Sequence, residues 1–349
     1  MRARLFPELA NTGGVVKTTP EDFIVEEQPA YLPSGEGTHT FVFVEKRGLT
    51  TEELIHALCK TTGVPRETVG AAGMKDRQAV SRQWLSLPDV DPVAASALRG
   101  EKWHVLSAAR HGNKLRTGHL RGNRFILTLR GLRCPPDEAV VRATAILDAL
   151  RGTGLPNFFG AQRFGARGDN APRGRALVKG EALPRSSERI GRGEKRLLVS
   201  AFQSELFNAY LDARLGDRLL RALVPGDVLR KRDSGGLFSP TTAEEADASQ
   251  RLSDGALDVT GPMFGSAMRS PTTGSPSFAR EEAVLTAAGV TAEDFGRMGP
   301  LGEGTRRPLT VPIEDVELAV GTEPATLRLA FSLPSGAYAT VLVEELTRP

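Results

Sequence analysis

Cysteine is scarce in this 349-residue sequence, and long apolar runs are missing from it. The two cysteines, Cys59 and Cys134, are too far apart for a C-x-x-C metal pair, and two thiols make a poor disulfide framework. We therefore expect reduced thiols, with Cys59 buried in an apolar helical pattern. No segment reaches the roughly 20 apolar residues that a membrane helix needs, and no apolar stretch follows the charged N-terminal residues as in a secretion signal. These absences favour a soluble, cytoplasmic protein.

Sequence motifs of several large enzyme classes are also absent. There is no G-x-x-x-x-G-K-[ST] phosphate loop, and the nearest approach to G-x-G-x-x-G, at Gly152-Thr-Gly154, has Asn157 where the third glycine is needed. Neither a His-Glu-x-x-His or cysteine-rich zinc pattern nor a G-x-S-x-G elbow occurs. These absences argue against NTPases, dinucleotide enzymes, zinc deaminases and most hydrolases. They leave carboxylate chemistry without a metal or redox cofactor.

Acidic residues are missing from one long part of the chain. From Lys102 to Arg133 there are eight Lys or Arg and no acid, and from Arg151 to Arg196 eleven basic residues stand against four acidic ones. From Thr241 to Pro349 the balance reverses, with sixteen acidic and eight basic residues. Basic residues collected on one face attract polyanions and release their counterions. The segregation favours nucleic-acid binding over an ordinary solvated surface.

Length and periodicity indicate two domains built from both strands and helices, because single cores stop growing beyond roughly 250–300 residues. Thr50 and Glu53 have capping-box spacing before an apolar helical stripe, and residues 124–130 alternate as a half-buried strand. A further helix is predicted from Asp137 to Arg151. Residues 152–175 are rich in Gly, Arg and Asn, which predicts a long loop.

The predicted fold class is α+β. The elements suggest a mixed or antiparallel sheet with flanking helices, interrupted by an inserted α+β domain. Residues 1–182 and 306–349 are assigned to the first domain and residues 183–305 to the insertion. Near the C-terminus, a helix is predicted at residues 337–346 with Ser335 as its N-cap.

Five segments, taken together in their order along the chain, form one set of motifs. They are Lys17-Thr-Thr-Pro-Glu-Asp-Phe23-Ile-Val-Glu, Gly73-Met-Lys-Asp76-Arg-Gln-Ala-Val-Ser-Arg-Gln-Trp84, Arg116-Thr-Gly-His-Leu-Arg-Gly-Asn-Arg-Phe125, Leu155-Pro-Asn157-Phe-Phe159-Gly-Ala-Gln-Arg-Phe-Gly165 and Leu333-Pro-Ser-Gly-Ala-Tyr338-Ala-Thr. In order and spacing they resemble the D family of tRNA pseudouridine synthases, and the fourth segment is the most specific. The likeness is thin between about residues 170 and 325, where the family carries its characteristic inserted domain.

The resemblance implies a pseudouridine synthase-type fold and the isomerisation of a uridine in tRNA, in this family at position 13. The reaction breaks the C1′–N1 bond, turns the freed uracil and joins C1′ to C5. Atoms are conserved, so no cofactor and no metal are expected. The expected partner is tRNA, with no membrane partner, and we expect the chain to act as a monomer.

By position in the family motif, Asp76 is the expected nucleophile. A carboxylate can attack the sugar or the base, or stabilise positive character at the sugar, as in glycosidases. It must be ionised, which a nearby cation favours. Lys17 matches a family active-site lysine and is the better candidate than the adjacent Lys75 and Arg77, because neighbours in an extended segment point to opposite faces. Without the resemblance, Asp76 would be interpreted as an ordinary turn aspartate.

The resemblance also implies residues that hold the substrate. A flipped base is usually gripped by an aromatic face and by hydrogen bonds to its edge. Phe159 is expected to stack on the uracil, and Asn157 to contact the base or order the loop. Phe23 and Tyr338 match positions that line the site, although the family commonly has Phe where this chain has Tyr338. Five arginines are expected to meet tRNA phosphates: Arg116, Arg121, Arg124, Arg163 and Arg167.

Two other interpretations share part of this pattern. An RNA-binding or chaperone protein without catalysis would need the basic surface but not Asp76. Another RNA-modifying enzyme, such as a methyltransferase, would need a cofactor site, for which the sequence gives no motif.

Overall fold

The computed structural model describes residues 4–77, 79–183 and 190–348. Its strands are β1 (Gly13–Val15), β2 (Phe23–Pro29), β3 (His39–Arg47), β4 (Gly70–Ala71), β5 (Val80–Pro88), β6 (Arg99–Gly100), β7 (Trp103–His111), β8 (Leu120–Leu132), β9 (Leu155–Pro156), β10 (Leu229–Lys231), β11 (Leu237–Phe238), β12 (Leu257–Met263), β13 (Thr305–Pro308), β14 (Thr310–Val311), β15 (Glu314–Val320) and β16 (Thr326–Pro334). Its helices are α1 (Thr51–Thr62), α2 (Pro92–Ser96), α3 (Pro136–Thr153), α4 (Asn170–Lys179), α5 (Arg192–Gly216), α6 (Glu245–Ser253), α7 (Pro276–Ala288), α8 (Ala292–Gly296) and α9 (Ala339–Thr347). Among these helices, none has both the length and the apolar composition for a membrane crossing.

These elements form two compact units. One consists of residues 6–152 and 312–348, and the other of residues 153–311 with residues 4 and 5. The predicted insertion, residues 183–305, lies within the second unit. Packing into units does not test where a family domain begins, so the predicted domain boundaries stay a prediction.

The first unit contains a ten-stranded mixed sheet in the order β15-β16-β8-β2-β5-β3-β7-β6, with β1 added on β8 and β4 on β5. The β2–β5 pair is parallel, and the other strand pairs that the structure describes are antiparallel. In β8 the alternate residues Phe125, Leu127 and Leu129 are buried, as a strand with one face on a core requires. The α+β class and the mixed sheet are confirmed.

Helix α1 begins and ends where its sequence signals predict. Thr50 accepts a hydrogen bond from the Glu53 amide, and the Glu53 carboxylate accepts one from the Thr50 amide, which completes the capping box. Gly63 ends the helix in the left-handed conformation, at φ 75°. The stripe of Leu54, Ile55 and Leu58 packs on the sheet core. Cys59 is half-buried and free, so the expectation of a buried thiol was too strong.

The long loop predicted over residues 152–175 is wrong in its second half. A short strand and a 3-10 turn occupy its beginning, and α4 starts at Asn170. In sequence, Gly174 favours a loop, but in the structure it lies inside α4. The glycine allows α4 to pack closely against α5, because a Cβ there would collide with the Leu198 carbonyl oxygen. Pro172 is tolerated because it stands in the first turn.

A buried ion pair lies inside the second unit. Arg214 of α5 and Asp227 have no exposed side-chain surface, and a guanidinium nitrogen of Arg214 lies 2.8 Å from the Asp227 carboxylate. Asp227 also accepts hydrogen bonds from the Val224 amide and the Ser277 hydroxyl. The carboxylate therefore joins α5, the segment before β10 and α7.

Candidate active site

Asp76 lies on the segment that leaves the sheet at β4 and returns to it at β5. Its side chain is exposed, whereas the preceding Lys75 is 9% exposed. Lys75 points inward, where its Nζ contacts Glu27 and Asn123, whereas Asp76 and Arg77 are both exposed. The buried Lys75 side chain fixes the segment, and the exposed Asp76 carboxylate is available to a substrate.

Lys17 and Phe23 accompany Asp76 in the first unit. Lys17 has φ 66°, a left-handed conformation that costs a non-glycine residue about 1–3 kcal/mol and clusters at functional sites. Its Nζ lies 4.2 Å from the centre of the Phe23 ring. Burial lowers the pKa of Lys17, and the negative charge of Asp76 opposes that effect. The structure thus brings together three of the residues expected at the site.

The two cations next to Asp76 in sequence are engaged elsewhere. Lys75 Nζ lies 3.0 Å from Glu27 Oε2 and donates to Asn123 Oδ1 at 2.8 Å, and Arg77 pairs with Glu53. Burial raises the pKa of Glu27, and Lys75 opposes that rise. Both cations therefore pair with carboxylates other than that of Asp76, and the partnership of Lys17 with Asp76 stays a prediction.

Lys46 is a site residue that motif reasoning missed. It lies on β3 with 1% of its surface exposed, and its Nζ donates to the backbone carbonyl of Asp76 at 3.0 Å. Burial is the main cause that lowers the pKa of Lys46 to about 8, and the charge of Asp76 opposes it. One signal could have found it: the buried alternation Val42, Val44 continues to position 46.

Asn157 lies in the second unit, directly after β9, and its role there is to order the chain. Its side-chain amide donates to the Pro308 carbonyl at 3.0 Å, and its backbone amide donates to the Leu309 carbonyl at 2.8 Å. Arg307 donates to both the backbone and the side-chain oxygen of Asn157. These contacts order the loop around Asn157, and a contact of its side chain with the base stays a prediction.

Phe159 is held by its backbone and covered by cations. Asn208 of α5 accepts from the Phe159 amide at 2.9 Å and donates to its carbonyl at 3.0 Å. The Arg307 guanidinium carbon lies 4.0 Å from the ring centre, and that of Arg163 lies 5.6 Å away. Asn208 and Arg307 carried no motif signal, because they are about 50 and 150 residues away in sequence.

Tyr338 occupies a helix boundary in the first unit. It is the N-cap residue of α9, and its carbonyl accepts from the Val341 amide at 3.1 Å. The predicted cap, Ser335, is wrong, because the chain is still in the turn after β16 at that position and α9 begins only at Ala339. Tyr338 is half-buried, and its role at the site stays a prediction.

The five arginines expected to contact phosphates differ in their exposure and in whether they are paired with other side chains. Arg121 and Arg124 of β8 are paired with Glu314 at 3.3 Å and with Glu317 at 2.8 Å. Arg163 donates to Ser200 and Ser204 of α5. Only Arg116 and Arg167 are exposed without an ion pair to any residue that the structure describes. Part of the acidic C-terminal segment therefore neutralises the basic run that precedes it.

A mixed sheet with an exposed aspartate near lysines, in a chain that also has an arginine-flanked Phe159 of 8% exposure, fits an enzyme that acts on an anionic polymer. The family model described as tRNA pseudouridine synthase D (TruD) matches residues 4–192 and 183–346. The protein named tRNA pseudouridine synthase D from Anaeromyxobacter dehalogenans (strain 2CP-C) is 46% identical over 347 residues, covering 98% of this chain and 95% of the relative. A protein of the same name from Thermus thermophilus is 40% identical over 348 residues, covering 99% and 91%. The chain therefore belongs to the tRNA pseudouridine synthase D (TruD) family.

A solved structure agrees at the level of the fold. The crystal structure of a protein from Methanosarcina mazei, assigned to TruD, matches with a TM-score of 0.80 at 23% identity. The match covers 100% of this chain and 96% of the other.

Proposed function

We propose that this protein is a tRNA pseudouridine synthase that isomerises the uridine at position 13 of tRNA, with Asp76 as the nucleophile and without a cofactor. The observation that carries the proposal is the exposed Asp76 carboxylate, close enough to Lys17 and Lys46 for its charge to act on both. Family membership supports the reaction class. Relatives that are 46% and 40% identical bear the name tRNA pseudouridine synthase D.

The chemistry requires one negative group at the sugar–base bond. When the C1′–N1 bond breaks, positive character develops at C1′, and a carboxylate stabilises it or attacks as a nucleophile. The freed uracil then turns, C1′ joins C5, and the proton at C5 is lost while N1 gains one. Reactant and product are isomers, so the balance needs no oxidant, reductant or group donor.

Lys17 is proposed to act on Asp76 through its charge. Its ammonium attracts the Asp76 carboxylate, whose negative charge acts in turn on the Lys17 pKa. Phe23, under the Lys17 ammonium, presents an aromatic wall to the same cluster. Removal of the Lys17 charge is expected to weaken catalysis, because the Asp76 carboxylate then loses the attraction that helps to hold it in place.

The proposal is tested with unmodified tRNA transcripts in buffer containing a chelator and no added cofactor. Pseudouridine is mapped by carbodiimide modification and primer extension. We expect one uridine, at position 13, to be converted. If the protein binds tRNA but no pseudouridine forms, the hypothesis of a non-catalytic RNA-binding protein takes its place.

Phe159 is proposed to stack on the flipped uracil, and Phe158 offers a matched comparison. Stacking of a base on an aromatic ring contributes about 1–3 kcal/mol, so Phe159→Leu should lower kcat/KM by about 5- to 150-fold. Phe158 is 1% exposed and belongs to the core, so Phe158→Leu should lower the melting temperature more than it lowers kcat/KM. Equal kcat/KM in Phe159→Leu and wild type would exclude the stacking role.

The difference in pairing among the arginines predicts a difference in salt dependence. Arg116→Ala and Arg167→Ala should each reduce the slope of log K against log salt by about one, because each removes one phosphate contact. Arg124→Ala should change it less, since that guanidinium is 21% exposed and bonded to Glu317. The slopes are measured by titrating tRNA at several salt concentrations. Unchanged slopes in the first two variants would contradict their phosphate contacts.

The remaining assignments are also proposals. We place the catalytic domain at residues 1–182 and 306–349 and the family-specific domain at residues 183–305. We propose that the protein acts in the cytoplasm, because tRNA is the expected substrate there. We also propose that it acts as a monomer.

A further inference from the structure

We propose that Lys46 is a positioning residue, whose buried ammonium group fixes the backbone of Asp76 and thereby aims its carboxylate at the substrate. The inference rests on the proposed function. It concerns a residue outside the five segments that carry the family resemblance, and it assigns Lys46 no contact with RNA.

The ammonium group is fixed to a rigid part of the first unit. Strand β3 is an interior strand, and Lys46 lies opposite Ser81 of β5 on one side and Trp103 of β7 on the other. Its side chain is 1% exposed, so few rotamers are open to it. A group on a strand held from both sides keeps its position more precisely than one on a loop.

The acceptors of Lys46 all belong to backbone that lacks regular structure. Nζ donates to the Leu49 carbonyl at 2.5 Å and to the Asp76 carbonyl at 3.0 Å, and the Lys75 carbonyl lies 3.5 Å away. The Lys75 carbonyl belongs to the peptide bond that precedes the Asp76 Cα, and the Asp76 carbonyl belongs to the peptide bond that follows it. The ammonium therefore sets the orientation of the peptide units on both sides of the Asp76 Cα.

A second contact holds the same segment. The Lys75 amide donates to Thr51 Oγ1 at 2.8 Å, and that hydroxyl donates to Gln83 Oε1 at 2.9 Å. Thr51 and Gln83 are buried. With Lys46 on the carbonyl side and Thr51 on the amide side, the segment has two anchors, and the Asp76 side chain is left to point outward.

Structural need alone does not explain a lysine at this position. The alternation of β3 puts position 46 on the same buried face as Val42 and Val44, where an apolar residue would pack without the cost of burying a charge. Burial lowers the pKa of Lys46 to about 8, so most molecules keep the ammonium form at neutral pH. The cost is met by hydrogen bonds that a valine or methionine could not make to the Asp76 segment.

The test compares Lys46→Met and Lys46→Arg with wild type in single-turnover assays on the tRNA transcript. Methionine keeps the length of the side chain and removes the donors. Misplacement of a catalytic group by 1 Å can cost about 10²-fold in rate, so we expect kcat of Lys46→Met to fall by about that factor with KM and tRNA affinity unchanged. Arginine retains positively charged hydrogen-bond donors on a side chain of similar length, so it should restore part of kcat.

Two further variants keep the test decisive if Lys46→Met folds poorly. Thr51→Val removes one hydrogen bond from the other anchor and should also lower kcat without changing KM. Lys60→Met, on the exposed side of α1, is the matched control and should behave as wild type. Melting temperatures are measured for all variants.

Three results would overturn the inference. The first is a folded Lys46→Met with the kcat of the Lys60 control. The second is a loss that falls on tRNA affinity alone, which would make Lys46 a binding residue. The third is unchanged kcat in Thr51→Val, since placement of the segment would then not limit the rate. A wild type without pseudouridine activity would instead reject the proposed function, and this inference with it.

Discussion

Replacement of Asp76 by asparagine is expected to reduce pseudouridine formation by at least about 10³-fold, the scale seen when one member of a catalytic group that acts as a unit is removed. The amide has nearly the same shape as the carboxylate but carries no charge. It can neither act as a nucleophile nor stabilise positive character at the sugar. Because the Asp76 side chain is exposed and the contact to Lys46 uses its backbone carbonyl, the fold should not change.

Asp148→Asn is the matched control for this variant. Asp148 is an exposed aspartate of α3 in the same unit, and its only partner that the structure describes is Arg151, at 2.7 Å. It should retain wild-type activity. The assay measures initial rates on tRNA transcripts together with tRNA affinity and melting temperature. Wild-type rates in Asp76→Asn would return Asp76 to the role of a turn residue, and loss of both rate and affinity would point to binding.

Removal of Asp227 should have the largest effect on stability. Asp227→Ala leaves the Arg214 guanidinium buried without its counter-charge, a change that typically costs about 3–5 kcal/mol. The Ser277 hydroxyl and the Val224 amide lose their acceptor at the same time. At about 2–4 °C per kcal/mol for a unit of this size, the melting temperature should fall by at least about 6 °C.

The control is a more exposed arginine in an ion pair of the same unit. Arg230 of β10 is 39% exposed and pairs with Asp258 at 2.7 Å, and Asp258 keeps a second partner in Arg232, also at 2.7 Å, so loss of Arg230 should cost about 0–1 kcal/mol. Arg230→Ala should therefore melt close to wild type. A double variant, Arg214→Met with Asp227→Leu, should recover part of the lost stability, because no buried charge remains unpaired. A melting temperature of Asp227→Ala equal to that of Arg230→Ala would contradict the argument.

Local signals were the most reliable part of the sequence. The capping box at Thr50 and Glu53, the stripe on α1 and the alternation in β8 depend on residues a few positions apart, and the structure has all three. Local signals failed where a distant element decided the outcome. Gly174 looked like loop until α5 supplied the neighbour for which a glycine is needed.

The charge pattern of the sequence indicated a basic region but did not indicate which of its arginines form ion pairs. The basic run up to Arg133 predicts a positive surface, yet three arginines of β8, at positions 121, 124 and 130, pair with acids at or near β15. These partners are about 190 residues away in sequence. Segregation along the chain therefore overstates segregation in space, because the sheet leaves only β16 between β15 and β8.

The sequence by itself determined the family, the α+β class and the identity of the residues expected to do the chemistry, since these are carried by short motifs whose side chains act through their own functional groups. Tertiary structure alone decided which cations contact Asp76 and which pair elsewhere. Lys75 forms a buried ion pair with Glu27, and Arg77 pairs with Glu53. Lys46, on β3, donates a hydrogen bond to the backbone carbonyl of Asp76. The physical reason is that the effect of a charge depends on distance and burial, and both are set by strand pairing between residues far apart in the chain.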